Sequence, residues 1–136
     1  MPACLYLDTS AVLRAVLENG SSPEVEAKIA AAPALITSRL SLVESSRAFH
    51  RLRQLGQVSE GKLADAQREV ASLWSRCELW ELTTAVCEMA RQVSPGKPLR
   101  ALDALHLATF VLARERIEDL ELLTVDYRMR EALETV

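Results

Sequence analysis

Hydrophobic residues in this chain fall into blocks of two kinds, short strand-like runs and longer helical stretches, and the two kinds alternate. Leu5, Tyr6 and Leu7 follow Cys4 as an apolar run that stops at Asp8-Thr9-Ser10, which reads as a short buried strand. Ala11 to Leu17 continues with helical composition until Asn19-Gly20 ends it. Ser21-Ser22-Pro23-Glu24 reads as an N-cap with proline in the first turn, opening a second helix that ends near Ala32-Pro33. Leu35 to Ser38 is a second short strand. Ser41 to Leu55 reads as a helix closed by Gly56, and a helix from Ser59 to about Arg76 pairs with it as a hairpin. Leu79 to Leu82 is a third strand, Thr84 to Val93 a helix, and Ser94 to Pro98 the strongest break in the chain. Arg100 to Glu115 is apolar on nearly every side, so it is expected to be central and buried. Leu120 to Val125 is the fourth strand, and Asp126 starts the last helix.

Strands that alternate with helices imply an α/β fold, a parallel sheet with helices on both faces. The chain has 136 residues, 49% of them apolar, enough for one domain over residues 1–136 with a real core. Aromatic residues are only 4%, so that core should be built from Leu, Val and Ala. No basic segment precedes the first apolar run, and no stretch approaches the roughly 20 apolar residues of a membrane span. The expectation is a soluble cytoplasmic protein. Cys4, Cys77 and Cys87 form neither a disulfide framework nor a zinc knuckle and read as small buried hydrophobes. The net charge of -3 means that any nucleic-acid contact must come from local basic patches or from metal.

Candidate chemistry rests on carboxylates. In an open parallel sheet, ligands bind beyond the carboxyl ends of the strands, where the strand order reverses. Asp8 and Asp126 each lie one position past a predicted strand. If the first and fourth strands flank the reversal, these two aspartates face one another. The alternative for either is helix capping, which is compatible with a second role. Glu44 extends a helical stripe through Ala48, Leu52 and Leu55, and Asp103 shares a stripe with Leu107 and Phe110. An ionised carboxylate on a packing face needs a positive partner. For Glu44 that partner is a cation or Arg47; for Asp103 it is a cation, Arg100 or the N–H groups of the helix start. Hard cations such as Mg²⁺ and Mn²⁺ take carboxylate oxygens, and four acids suit them. His50 and His106 are each isolated on a helix, which argues against zinc. His106, between Leu105 and Leu107, reads as a satisfied core histidine, and His50 as part of a solvated basic face.

These residues resemble a known family. Leu5-Tyr6-Leu7-Asp8-Thr9-Ser10-Ala11 looks like the opening of the PIN domain, and Ser41-Leu42-Val43-Glu44 like its second acidic motif. Leu102-Asp103-Ala104-Leu105-His106-Leu107-Ala108-Thr109 looks like the third, and Thr124-Val125-Asp126 like the fourth. The nearest likeness is to the VapC-type toxins of prokaryotic toxin–antitoxin pairs. The resemblance implies a three-layer α/β/α sandwich with a parallel sheet of four or five strands, and a Mg²⁺- or Mn²⁺-dependent endoribonuclease that cuts structured RNA such as tRNA or rRNA. It further implies a homodimer and a VapB-like antitoxin whose tail enters the active-site groove. Asp8, Glu44, Asp103 and Asp126 would fill the acidic positions, with Ser10 positioning Asp8 or a metal-bound water.

On this reading water activated by metal attacks phosphorus in line, leaving 5′-phosphate and 3′-hydroxyl ends. Asp8 and Asp103 are the expected direct ligands, with Glu44 and Asp126 acting through water or on a second ion. Arg47, His50, Arg51, Arg53, Arg128 and Arg130 could neutralise phosphate, although each taken singly also reads as a solvated residue. The rival reading is a non-catalytic PIN-like interaction module whose acidic pocket binds a basic peptide. A phosphatase is disfavoured because Asp8-Thr9-Ser10 lacks a second aspartate and no glycine-rich phosphate loop exists among four glycines.

Overall fold

The computed structural model describes residues 2–18 and 22–136. The predicted stop at Asn19-Gly20 and the start at Ser21 lie outside those residues. Strand β1 (Leu5–Leu7) leads into α1 (Thr9–Leu17) and α2 (Pro23–Ala31), then β2 (Leu35–Ser38). Helices α3 (Arg39–Leu55) and α4 (Glu60–Ser75) follow, then β3 (Glu78–Trp80), α5 (Thr84–Ala90), α6 (Ala101–Arg114), β4 (Glu121–Leu123) and α7 (Tyr127–Leu133).

The four strands are all parallel, in the order β3-β2-β1-β4. The chain therefore winds outward from β1 to β3 and returns to the other side of β1. Because parallel crossovers are right-handed, reversing direction moves the connecting helices to the opposite face. Side chains of β1 divide accordingly. Leu5 and Leu7 join Val12, Ile29, Phe49, Leu63, Val70 and Trp74 in one core, under α1 to α4. Tyr6 faces the other way, with Ile36, Leu107, Phe110, Ala113, Met129 and Ala132 under α6 and α7. This period-two alternation makes the three-layer α/β/α sandwich, and it leaves the gap between β1 and β4 as the place where helices leave the sheet in opposite directions.

Local chemistry sets the boundaries. Ser38 accepts a hydrogen bond from the Leu40 amide and caps α3, so this helix begins at Arg39, ahead of the expected Ser41. Gly56 closes it at φ 66°, a left-handed turn that suits glycine. Ser59 and Thr83 cap α4 and α5. Strand β3 sits at 78–80, earlier than the expected Leu79 to Leu82, and Leu82 is exposed at this sheet edge. Helix α5 stops at Ala90, short of Val93, and β4 at Leu123, short of Val125. Helix α6 buries His106 to Phe110 and Ala113, but its first turn projects past the core and leaves Leu102 47% exposed. The stripe of α3 through Ala48 ends before Leu55, which is exposed. The cysteines are free: Cys4 and Cys77 are half-buried, and Cys87 is exposed, not buried as expected.

Candidate active site

The backbone carries Asp8 directly off the end of β1, into the gap beside β4, where its amide donates to the Leu123 carbonyl at 3.0 Å. Asp8 occupies the N-cap position of α1 yet caps nothing with its side chain. Its buried carboxylate turns instead across the gap. Oδ2 accepts from the hydroxyls of Ser10 at 2.7 Å and Thr124 at 2.6 Å. The group from the β4 side that meets Asp8 is therefore Thr124. Asp126 lies three residues beyond the end of β4, and its Oδ1 caps α7 by accepting from the Arg128 amide at 2.8 Å. Thr124 Oγ1 also receives the Asp126 amide at 3.1 Å, tying the two segments together.

Glu44 reaches in from the second turn of α3. Its Oε1 accepts from Thr9 Oγ1 at 2.8 Å and is 2.5 Å from His106 Nε2. No ion pair joins Glu44 to Arg47 among the described residues. Thr9 Oγ1 lies 3.1 Å from Ser41 Oγ, which is 2.8 Å from Thr37 Oγ1, and Thr37 donates to the Leu7 carbonyl. A chain of hydroxyls thus anchors Glu44 to the sheet. Burial disfavours its charge, but the hydrogen bond and charge of His106 and the Thr9 hydroxyl together hold its pKa below the usual value.

His106, 1% exposed, is the satisfied core histidine expected, and it also belongs to the acidic cluster. Nδ1 is 2.8 Å from the Tyr6 hydroxyl, and Nε2 lies 3.9 Å from Asp8 Oδ1. Burial alone would depress its pKa, yet Glu44, with help from Asp8 and Asp103, holds it above that of an ordinary imidazole.

Asp103, in the first turn of α6, is the least compensated acid. Arg100 is paired with it at 3.6 Å, an ion-pair distance too long for a hydrogen bond, and Asp103 Oδ2 is buried with no hydrogen-bond partner among the described residues. Burial, then the charge of Asp126, raises its pKa; Arg100 opposes this and Asp8 adds to it.

A hard cation suits this donor set. Each of three acids keeps at least one oxygen without a hydrogen bond among the described residues: Asp8 Oδ1, Glu44 Oε2 and, buried, Asp103 Oδ2. Negative charge exceeds what Arg100 and His106 offset. Among the described residues no three His, Cys, Asp or Glu side chains converge tightly enough to encircle an ion unaided. An ion such as Mg²⁺, which keeps several waters and takes only one or two carboxylates directly, needs no such group of three.

Arg47, His50, Arg51 and Arg128 are exposed and available to a substrate. Arg53 is not, since it is engaged by Glu60 and Gln67 between α3 and α4. Arg130 is held at the site's edge, donating to the Thr124 carbonyl at 3.2 Å. The apolar groove of about 400 Å³ between α3 and α4, lined by Leu42, Phe49, Val70 and Trp74, includes none of the four acids. Sequence reasoning missed Thr9 and Thr124. Each stands at a strand end beside a carboxylate, the only signal it offers.

The PIN domain family model matches residues 5–133. Ribonuclease VapC35 of Mycobacterium tuberculosis is 31% identical over 134 residues, 97% of this chain and 91% of that protein. Among solved structures, VapC20 of M. tuberculosis, described as a sarcin-ricin loop cleaving toxin, superposes with a TM-score of 0.66 at 16% identity, covering 94% of both chains. A toxin–antitoxin complex from Klebsiella pneumoniae gives 0.60 at 22% identity, covering 90% of this chain and 86% of that one. These matches agree with the order of the motifs along the chain: it belongs to the PIN domain family and, within it, to the VapC type.

Proposed function

We propose that this chain is a Mg²⁺- or Mn²⁺-dependent endoribonuclease, the toxin of a VapBC-type pair, that cuts structured RNA such as tRNA or rRNA. The observation that carries the proposal is that Asp8, Glu44 and Asp103 all act on His106, each with at least one carboxylate oxygen that has no hydrogen bond among the described residues. The identity with Ribonuclease VapC35 supports the substrate class. A bound divalent ion would supply an activated water and offset charge on the scissile phosphate. The chain's own residues do the rest. Ser10 and Thr124 fix the Asp8 carboxylate, Thr9 fixes Glu44, and Asp126 holds the start of α7 while lending its charge to the cluster. Arg47, Arg51 and Arg128 are the proposed phosphate contacts.

The proposal includes a cytoplasmic location, a homodimer and a VapB-like antitoxin. Among the described residues, no helix is long and apolar enough to cross a membrane. The K. pneumoniae toxin–antitoxin complex supports such a partner. Purified protein incubated with total tRNA and rRNA in Mg²⁺ or Mn²⁺ should release fragments with 5′-phosphate and 3′-hydroxyl ends, and EDTA should stop it. Asp8→Asn should lower the rate by at least about 100-fold, the scale of losing an electrostatic group at a reaction centre. Cleavage by Asp8→Asn at the wild-type rate would sink the assignment. The internal pairing of Glu44 with His106 favours one rival, a non-catalytic pocket for a basic peptide, and absence of any cleavage by antitoxin-free protein would select it.

A further inference from the structure

His106 stands among the acids without a role in the chemistry proposed above. We infer that it is a positioning residue, a strut between the sheet and Glu44 that holds one oxygen of that carboxylate and leaves the other for the site's cation. The inference rests on the metal-dependent reading of the site.

The hydrogens of the ring follow from its partners. An ionised carboxylate only accepts, so the 2.5 Å contact to Glu44 Oε1 requires a hydrogen on Nε2. In the neutral ring Nδ1 is then the acceptor, and the Tyr6 hydroxyl, 2.8 Å away, donates to it; in the charged ring Nδ1 donates to that hydroxyl instead. Neither nitrogen keeps a lone pair for a metal, so His106 acts on the site through Glu44.

The strut is rigid at every joint. Tyr6 is fully buried in β1, the strand flanked on both sides, and His106 is fully buried on α6. Tyr6 packs edge-on against both the His106 ring and Phe110, which fixes the plane of the imidazole. Glu44, by contrast, has three rotatable side-chain bonds and is half-buried. Two donors on Oε1, from Thr9 and His106, remove most of that freedom and leave Oε2 without a hydrogen bond among the described residues. Helix α6 supplies Asp103 one turn before His106, so one rigid element sets the positions of both an acid and the strut for another.

Mn²⁺ binding measured by calorimetry without RNA tests this. His106→Leu, of similar bulk but with no donor, should weaken Mn²⁺ binding by about 10- to 100-fold, the range for residues that orient metal ligands. His106→Gln, whose amide can donate near the Nε2 position, should recover much of the loss. Tyr6→Phe, which removes the prop on Nδ1 and keeps the ring in the core, should cause a smaller loss, and it serves as the test if His106→Leu does not fold. Wild-type affinity in a folded His106→Leu, or in Tyr6→Phe where the leucine variant does not fold, overturns the inference while leaving the metal site intact. Equal abolition of binding in the Leu and Gln variants also overturns it, by making His106 a ligand. Failure of the wild-type protein to bind Mn²⁺ removes the metal reading and this inference with it.

Discussion

Asp103 has more negative charge around it than Arg100 balances, and this has a stability consequence. Its pKa is raised by burial and by Asp126 and Asp8, so the folded protein holds the Asp103 proton more tightly than the unfolded chain does. The contribution of this group to stability is thus complete below its unfolded pKa of about 3.9 and is lost as pH rises through the higher folded value. At neutral pH, with metal removed by EDTA, the charged carboxylate is a net cost. Asp103→Asn should therefore raise the Tm at pH 7, and the gain should shrink as pH falls through the aspartate range. Thermal melts of both proteins across that range check it. A Tm at pH 7 lower than the wild type's would show that the Arg100 pair outweighs burial and the neighbouring acids. The same substitution should weaken Mn²⁺ binding, so one residue would be seen to trade stability for function.

At the level of the element, Asp126 combines two roles that substitutions can separate. Its Oδ1 caps α7, a helix of only seven residues, and its charge acts on Asp103. Asparagine keeps the accepting oxygen; alanine does not. Asp126→Ala should cost about 1 kcal/mol in urea unfolding and Asp126→Asn a few tenths at most. Both should weaken Mn²⁺ binding if the charge serves the site. Wild-type Mn²⁺ binding in Asp126→Asn would make the residue a cap alone. The same duality explains which boundaries could be read from sequence. Leu5 to Leu7 against Asp8-Thr9-Ser10 is an abrupt local contrast, and the strand ends where expected. Ser38 is equally good as a strand end or a cap, so α3 starts earlier than its apolar stripe suggests. Val125 extends the apolar run of β4, but the Thr124 hydroxyl is drawn to Asp8 and the ladder stops before it. The acids stood out because a carboxylate on an apolar stripe is anomalous. Their holders did not, since Thr124 finds Asp8 across 116 positions and His106 finds Glu44 across 62, and nothing local distinguishes such a threonine from a cap or such a histidine from core.

Across the whole molecule, a chain of net charge -3 with an acidic site must still hold a polyanion. The topology gives one solution. Helix α3 starts at the carboxyl end of β2, so Glu44 lies at the site, and Arg47 and Arg51 follow it at i+3 and i+7 on one face of the helix. At 1.5 Å rise per residue, Arg51 stands about 10 Å along the helix from Glu44, a distance that lets the two arginines bind phosphates flanking the one at the acids. Both are exposed and neither forms an ion pair among the described residues, so reversing their charge should leave the fold alone. The double variant Arg47→Glu, Arg51→Glu should keep the wild-type Tm and Mn²⁺ affinity. Its RNA affinity at low salt should fall by about tenfold or more, and the slope of log affinity against log salt should flatten by about 0.7 to 0.9 for each phosphate no longer neutralised. Competition binding of a non-cleaved RNA across a salt series measures both. An unchanged slope would mean that RNA approaches from the α7 side, where Arg128 is exposed beside Asp126, and the same reversal at Arg128 should then produce the missing change.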